Sequence, residues 1–101
     1  MLITVSSRHM DVTLPLKSHA EEKANKLTKF YDRIQDIEVI LDAGKDQAAV
    51  EMIVNTDHNH RFVAHHNDGD AYACIDACTE KLERQLSEHK KKVRNRKHPE
   101  S

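Results

Sequence analysis

The last third of the chain, DAYACIDACTEKLERQLSEHKKKVRNRK over residues 70–97, carries the period of one long helix, and such a helix needs a core large enough to bury its apolar side. Ala71, Ile75, Cys78, Leu82, Leu86 and Val93 fall on a single stripe and make that core-facing side. Asp76, Glu80 and Glu83 gather on one flank of the stripe, and Lys81, Arg84 and Lys92 gather on the other. Solvation alone does not require charge to be sorted by angle. From His89 to His98 there are six Lys/Arg and no acid. A basic ridge that runs off the end of a packed domain suits a polyanion.

The total charge does not advertise this. The 101 residues carry 16 Lys/Arg against 17 Asp/Glu, a formal net charge of −1. The distribution is what matters: Lys81, Arg84 and the run from Lys90 to Lys97 face only Glu83 and Glu88 over the same stretch. Four aromatic residues (Phe30, Tyr31, Phe62 and Tyr72) and no Trp argue against a base-stacking single-strand platform, which leaves backbone- and shape-directed binding. The length fits one domain, read here as residues 1–97 with a short tail at 98–101. MLITVSSRHM alternates apolar with polar residues, unlike a signal peptide, so a cytoplasmic protein without membrane attachment is expected. Cys74 and Cys78 sit one helical turn apart with nearly parallel side-chain directions, a poor disulfide geometry, and read as reduced core residues.

Upstream of the long helix the pattern gives the order β-α-β-β-β-α, an α+β fold with both helices on one face of a four-stranded sheet. Residues 2–8 alternate and are β-branched, with Ile3 and Val5 on one face. Thr13 caps a helix that tolerates Pro15 in its first turn and extends to about Asp32. Its buried stripe is Leu16, Ala20, Ala24, Leu27 and Tyr31; beside it lie His19, Lys23, Lys26 and Arg33, with Lys29 at the edge. Three strands follow over residues 34–42, 48–55 and 60–66, joined by turns at 43–47 and 56–59. Asp68 or Asp70 is placed to cap the last helix.

Candidate chemistry is sparse. No phosphate loop, nucleophile elbow or carboxylate pair is present, so neither an enzyme nor a cofactor is expected. Four imidazoles, His58, His60, His65 and His66, crowd nine residues and could ligate zinc or copper. His65 points away from His60 and His66 on a strand, so a polar edge strand is the simpler account and no metal is expected.

Asp70, Tyr72, Ile75, Asp76, Lys81, Leu82, Arg84, Gln85 and Leu86 spell D-x-Y-x-x-I-D-x-x-x-x-K-L-x-R-Q-L, and Val12-Thr13 and the E-E-K-x-x-K-L of residues 21–27 lie upstream. With these motifs the chain resembles the ribosome hibernation promoting factors, also called ribosome-associated translation inhibitors or sigma modulation proteins. The resemblance implies a fold similar to double-stranded RNA-binding domains and a partner in the small ribosomal subunit and its rRNA. It implies binding in the decoding channel, where messenger and transfer RNA are excluded, translation stops and the idle ribosome is preserved. It places rRNA contacts on Lys23, Lys26 and Lys29 of the first helix and on Lys81 and Arg84 of the second, with Lys90, Lys91 and Lys92 continuing the ridge. Glu88 stands where the family commonly has Lys. The reading is of a monomer that works alone or beside a separate ribosome-dimerising factor. A general duplex-RNA module and a protein-binding regulator of transcription are the competing readings.

Overall fold

The computed structural model describes residues 1–97, with side-chain surroundings as far as Arg94; the short tail expected at 98–101 lies outside the described residues. The elements are β1 (Leu2–Arg8), α1 (Leu14–Lys26), β2 (Ile34–Ala43), β3 (Ala48–Thr56), β4 (Arg61–Asp68) and α2 (Ala71–Lys97). The four strands form one sheet in the order β1-β2-β3-β4. β1 runs parallel to β2, with Val5 opposite Val39, and α1 makes the crossover that a parallel pair requires. β2, β3 and β4 form an antiparallel meander, with Val39 opposite Met52 and Met52 opposite Ala64.

Alternation decides which side of the sheet is covered. Ile37, Val39 and Leu41 of β2 and Val50, Met52 and Val54 of β3 are at most 1% exposed and point into one core. Against them pack Leu16, Ala20, Ala24 and Leu27 from the first helical segment and Ile75, Cys78, Leu82 and Leu86 from α2. Among the described residues no layer covers the opposite face. It presents Thr4, Ser6, Asp36, Glu38, Ile40, Asp42, Glu51 and Val63, and Ile53 is the residue there that is nonetheless buried, between its neighbours Glu38 and Val63.

Caps form as their residue types dictate. The Thr13 hydroxyl accepts from the Leu16 N–H at 3.3 Å, and the Asp70 carboxylate accepts from the Tyr72 N–H at 2.9 Å. Asp68 supports the second cap from outside by accepting the Asp70 N–H.

Two elements depart from the sequence expectation: β4 runs on through Asn67 and Asp68, which pair with Ala49 and Ala48, and the first helix is shorter than expected. The first helix ends at Lys26 instead of reaching Asp32, and Leu27–Lys29 tighten into a 3-10 turn. The Thr28 hydroxyl donates to the Asn25 carbonyl at 2.8 Å and the Phe30 N–H reaches Leu27 O at 3.0 Å, so local bonds replace the α-helical ladder. Tyr31 is still buried as expected, but from the loop, and Arg33 leaves the helix surface altogether.

Among the described residues no helix is long and apolar enough to cross a membrane. Leu82 is 0% exposed at the centre of the α2 contact, so Leu82→Ala is expected to lower unfolding free energy by about 2–5 kcal/mol. Leu14→Ala, at a residue 79% exposed, should change it by no more than about 0.5 kcal/mol. Urea denaturation of both variants checks the pair.

Candidate nucleic-acid interface

The helix layer carries most of the cations. Lys17, Lys23, Lys26 and Lys29 lie on the first helical segment, and Lys81, Arg84, Lys90, Lys91, Lys92 and Arg94 lie on α2. Asp36, Glu38, Asp42 and Glu51 occupy the open side of the sheet, with Arg8 and Arg61 at its margins. The molecule is therefore polarised across its thickness, helices positive and sheet negative, which the near-zero net charge conceals.

The helix layer does not, however, form one basic groove. The flank of α2 that faces α1 is the acidic one. Asp76 lies 2.8 Å from His19 Nε2 and 3.7 Å from Lys23 Nζ, and the Tyr72 ring meets the His19 ring edge-on at 5.1 Å. Lys23 is thus partly neutralised within the fold. Lys26 and Lys29 are exposed, with Lys29 on the 3-10 turn.

Lys81 sits on the far flank of α2, over the outer edge of the sheet. Its Nζ donates to the His65 carbonyl at 2.7 Å, and one turn later Gln85 Nε2 donates to the Val63 carbonyl at 3.1 Å. These two side chains satisfy carbonyls along the free edge of β4, which blunts an edge otherwise open to another strand. An ammonium has three donors, so Lys81 keeps its charge and two N–H groups for an anion. Arg84 is exposed near the crest of α2. The sequence-predicted cations therefore divide into a patch on the first helical segment and a patch on the far shoulder and end of α2, with Asp76, Glu80 and Glu83 between them.

The end of α2 projects beyond the sheet, and Lys90, Lys91, Lys92 and Arg94 there are exposed. Beneath it lies a cluster that the sequence did not announce. His89 contacts Tyr31 and Phe62 with ring centroids at 5.1 Å and His60 at 4.6 Å. The Tyr31 hydroxyl donates to Asp57 Oδ1 at 3.0 Å, and Arg33 Nη1 lies 3.3 Å from Asp57 Oδ2. Burial and then the bond to Asp57 push the Tyr31 phenol above its ordinary pKa. Burial also pushes the Asp57 carboxyl up, but the hydrogen bonds from Tyr31 and Arg33 outweigh it and the carboxyl ends below its ordinary value. The arrangement was hidden because its parts come from three segments far apart in sequence: Tyr31 and Arg33 before β2, Asp57 and His60 between β3 and β4, and His89 on α2.

The four histidines considered as metal ligands do not converge. His58 belongs to the 3-10 turn Asp57–Asn59, His60 stacks on Phe62 at 6.5 Å, His65 lies opposite Glu51 on the open side of the sheet and His66 opposite Val50 on the covered side. Among the described residues no group of three or more His, Cys, Asp or Glu is placed to hold a metal. Cys74 and Cys78 are buried free thiols, within reach of the Ala48 and Val50 carbonyls at 3.6 and 3.4 Å, and burial pushes the Cys78 thiol up to about 11.

A family model described as "Sigma 54 modulation protein / S30EA ribosomal protein" matches residues 3–94. The ribosome hibernation promoting factor of Pseudomonas putida is 36% identical over 92 residues, spanning 91% of this chain and 89% of that protein. That of Azotobacter vinelandii is 35% identical over 92 residues, spanning 91% of this chain and 85% of its own length. A solved ribosomal subunit interface protein from Coxiella burnetii superposes with a TM-score of 0.82 at 27% identity, over 89% of this chain and 98% of that one. The chain belongs to the sigma 54 modulation protein / S30EA ribosomal protein family.

The Asp57 cluster gives a pH test. Because the folded state lowers the Asp57 pKa, its stabilising effect is present above the unfolded carboxylate value, about 3.9, and fades as pH falls through the folded value. Asp57→Asn is therefore expected to be less stable than the parent at pH 7, with the gap closing towards pH 3. Urea midpoints of the two proteins across that range check it.

Proposed function

We propose that this chain is a ribosome hibernation factor that binds rRNA of the small subunit in the decoding channel, excludes messenger and transfer RNA by occupancy, and so inhibits translation while preserving the idle ribosome. The observation that carries the RNA side of this reading is the polarity of the fold. Exposed Lys26, Lys29, Arg84, Lys90, Lys91 and Lys92 crown the helix layer, while acids hold the open face of the sheet. A phosphate backbone would be drawn to the helices and repelled by the sheet, which orients the protein on its partner before any close contact forms. The names of its relatives supply the ribosome and hibernation.

In this reading Lys26 and Lys29 contact phosphates on one side, and Lys81, Arg84 and the Lys90–Lys92 run contact them on the other. Lys23 contributes less, because Asp76 already holds it. The acidic strip between the two patches favours contact with two separate stretches of backbone. Lys81 binds phosphate with the donors it does not spend on His65.

The binding is then driven in large part by counterion release. Each phosphate contact adds about −0.7 to −0.9 to the slope of log affinity against log salt. Replacing Lys26 and Lys29 together with Ala is expected to weaken ribosome cosedimentation and flatten that slope by about 1.4–1.8. Replacing Glu80 and Glu83 with Ala should weaken nothing. Translation should be inhibited with saturation near one protein per ribosome and recover when initiation ligands fill the channel first. Association that survives high salt, with an unchanged slope in the double variant, would replace this reading with a protein-docking one.

A further inference from the structure

The ring cluster under the end of α2 opens into a cavity of about 450 Å³, within the size range of small-ligand sites. Its walls are Tyr31, Asp57, His58, His60, His89 and Val93, with Arg33 beside Asp57. We propose that this cavity is a nucleobase-binding site, which takes one unpaired RNA base while the base's own phosphate lies on the adjoining cations. The inference rests on the RNA-binding reading above and adds to it a contact of a different chemical kind.

Three features select a base. First, the exposed His60 ring is backed, stacked against Phe62 at 23° and packed against His89 at 4.6 Å, so it offers a held flat surface for stacking. The scarcity of Phe, Tyr and Trp is offset here by imidazoles. Second, the polar wall is a carboxylate. Asp57 repels a phosphate, yet it has about four acceptor positions, and the bonds from Tyr31 and Arg33 leave it able to accept an exocyclic amino group. Adenine, cytosine and guanine carry such a group on the Watson–Crick edge and uracil does not. Third, a second concavity runs on from Tyr31 and Arg33 to Lys90 and Arg94 on the flank of α2, where the three cations outnumber the one acid in its wall, Asp32, and a phosphate attached to the base finds net positive charge.

The loop that carries the site is held in an uncommon shape. His58 and Asn59 both adopt left-handed backbone angles, with φ of 57° and 61°. Asn and His are both among the non-glycine residues that occupy this region most often. The turn keeps His58 Nε2 3.5 Å from Asp57 Oδ2 and delivers His60 to the mouth of the cavity.

Two measurements test the site. In the first, the protein is titrated with adenosine 5′-monophosphate, uridine 5′-monophosphate and ribose 5-phosphate while the histidine ring resonances are followed by NMR. The expected result is saturable shifts of the His58, His60 and His89 signals with the adenine nucleotide, weaker ones with the uridine nucleotide and none with ribose 5-phosphate. Shifts that are equal for adenosine monophosphate and ribose 5-phosphate, or absent for both, overturn the proposal. In the second, His60→Ala is expected to lower ribosome affinity roughly 5- to 150-fold, the range for loss of one stacked base, with the salt slope unchanged, and His60→Phe to restore it. Unchanged affinity in His60→Ala, or a loss accompanied by a flatter slope, overturns the stacking role. If the parent fails to bind ribosomes yet shows the adenine-dependent shifts, the base site stands and the hibernation reading falls.

Discussion

Everything in this molecule hangs from the contact between α2 and the β3–β4 half of the sheet. Ile75, Cys78, Leu82 and Leu86 are each fully buried there, and each large apolar side chain so placed contributes about 1.5–3 kcal/mol relative to exposure. The buried side of the helix stays neutral throughout. Cys74 and Cys78 reach β3 carbonyls as thiols, and the raised Cys78 pKa keeps a thiolate from forming inside the core. Thr79, also buried, turns its hydroxyl back to the Ile75 carbonyl at 2.8 Å. With the stripe fixed against the sheet, the angle of every other α2 side chain is fixed too. Asp76 must meet α1, Lys81 and Gln85 must overhang β4, and Arg84 must face solvent. Functional charge placement is thus a consequence of core packing.

The strands, the caps and the apolar stripes as far as Leu86 were legible in the sequence because each is a local pattern; Val93, read on the same stripe, lies past the core and lines the surface cavity. Thr13 and Asp70 cap where their side-chain chemistry requires, and Ile37, Val39 and Leu41 alternate inward as read. The end of the first helix was not legible. Leu27 and Tyr31 keep a four-residue spacing across the 3-10 turn, so the apolar period continues after the helix has stopped. Periodicity reports which residues face the core, and both still do.

The arrangement of the charges was legible only by halves. Angular sorting on α2 placed acids and bases on opposite flanks correctly, but one helix does not reveal which flank its neighbour takes. The position of α1 settles that, and with it the partial neutralisation of Lys23. Lys81 shows the same limit. Its sequence neighbours suggest a free cation, whereas its bond to the His65 carbonyl depends on where the edge of β4 falls. Family resemblance carries residue identities across chains, while the share of each charge left for a partner is set by such contacts.

The two ends of the helix layer consequently differ in kind. Near the start of α2, His19, Lys23, Tyr72 and Asp76 satisfy one another and bind α1 to α2. Near its end, Lys90 and Arg94 border the concavity that adjoins the Tyr31–Asp57–His60 cavity, and Lys91 and Lys92 are exposed beside them. Internal pairing closes the first end and leaves the second for external contacts. α2 has 27 residues and spans about 40 Å, and its buried apolar side chains, from Cys74 to Leu86, lie in its N-terminal part, which is where the helix is anchored. The stiffness of the anchored half then presents the cations of the projecting half to a ligand in a fixed orientation, which lowers the ordering entropy that a flexible basic tail would have to overcome on binding.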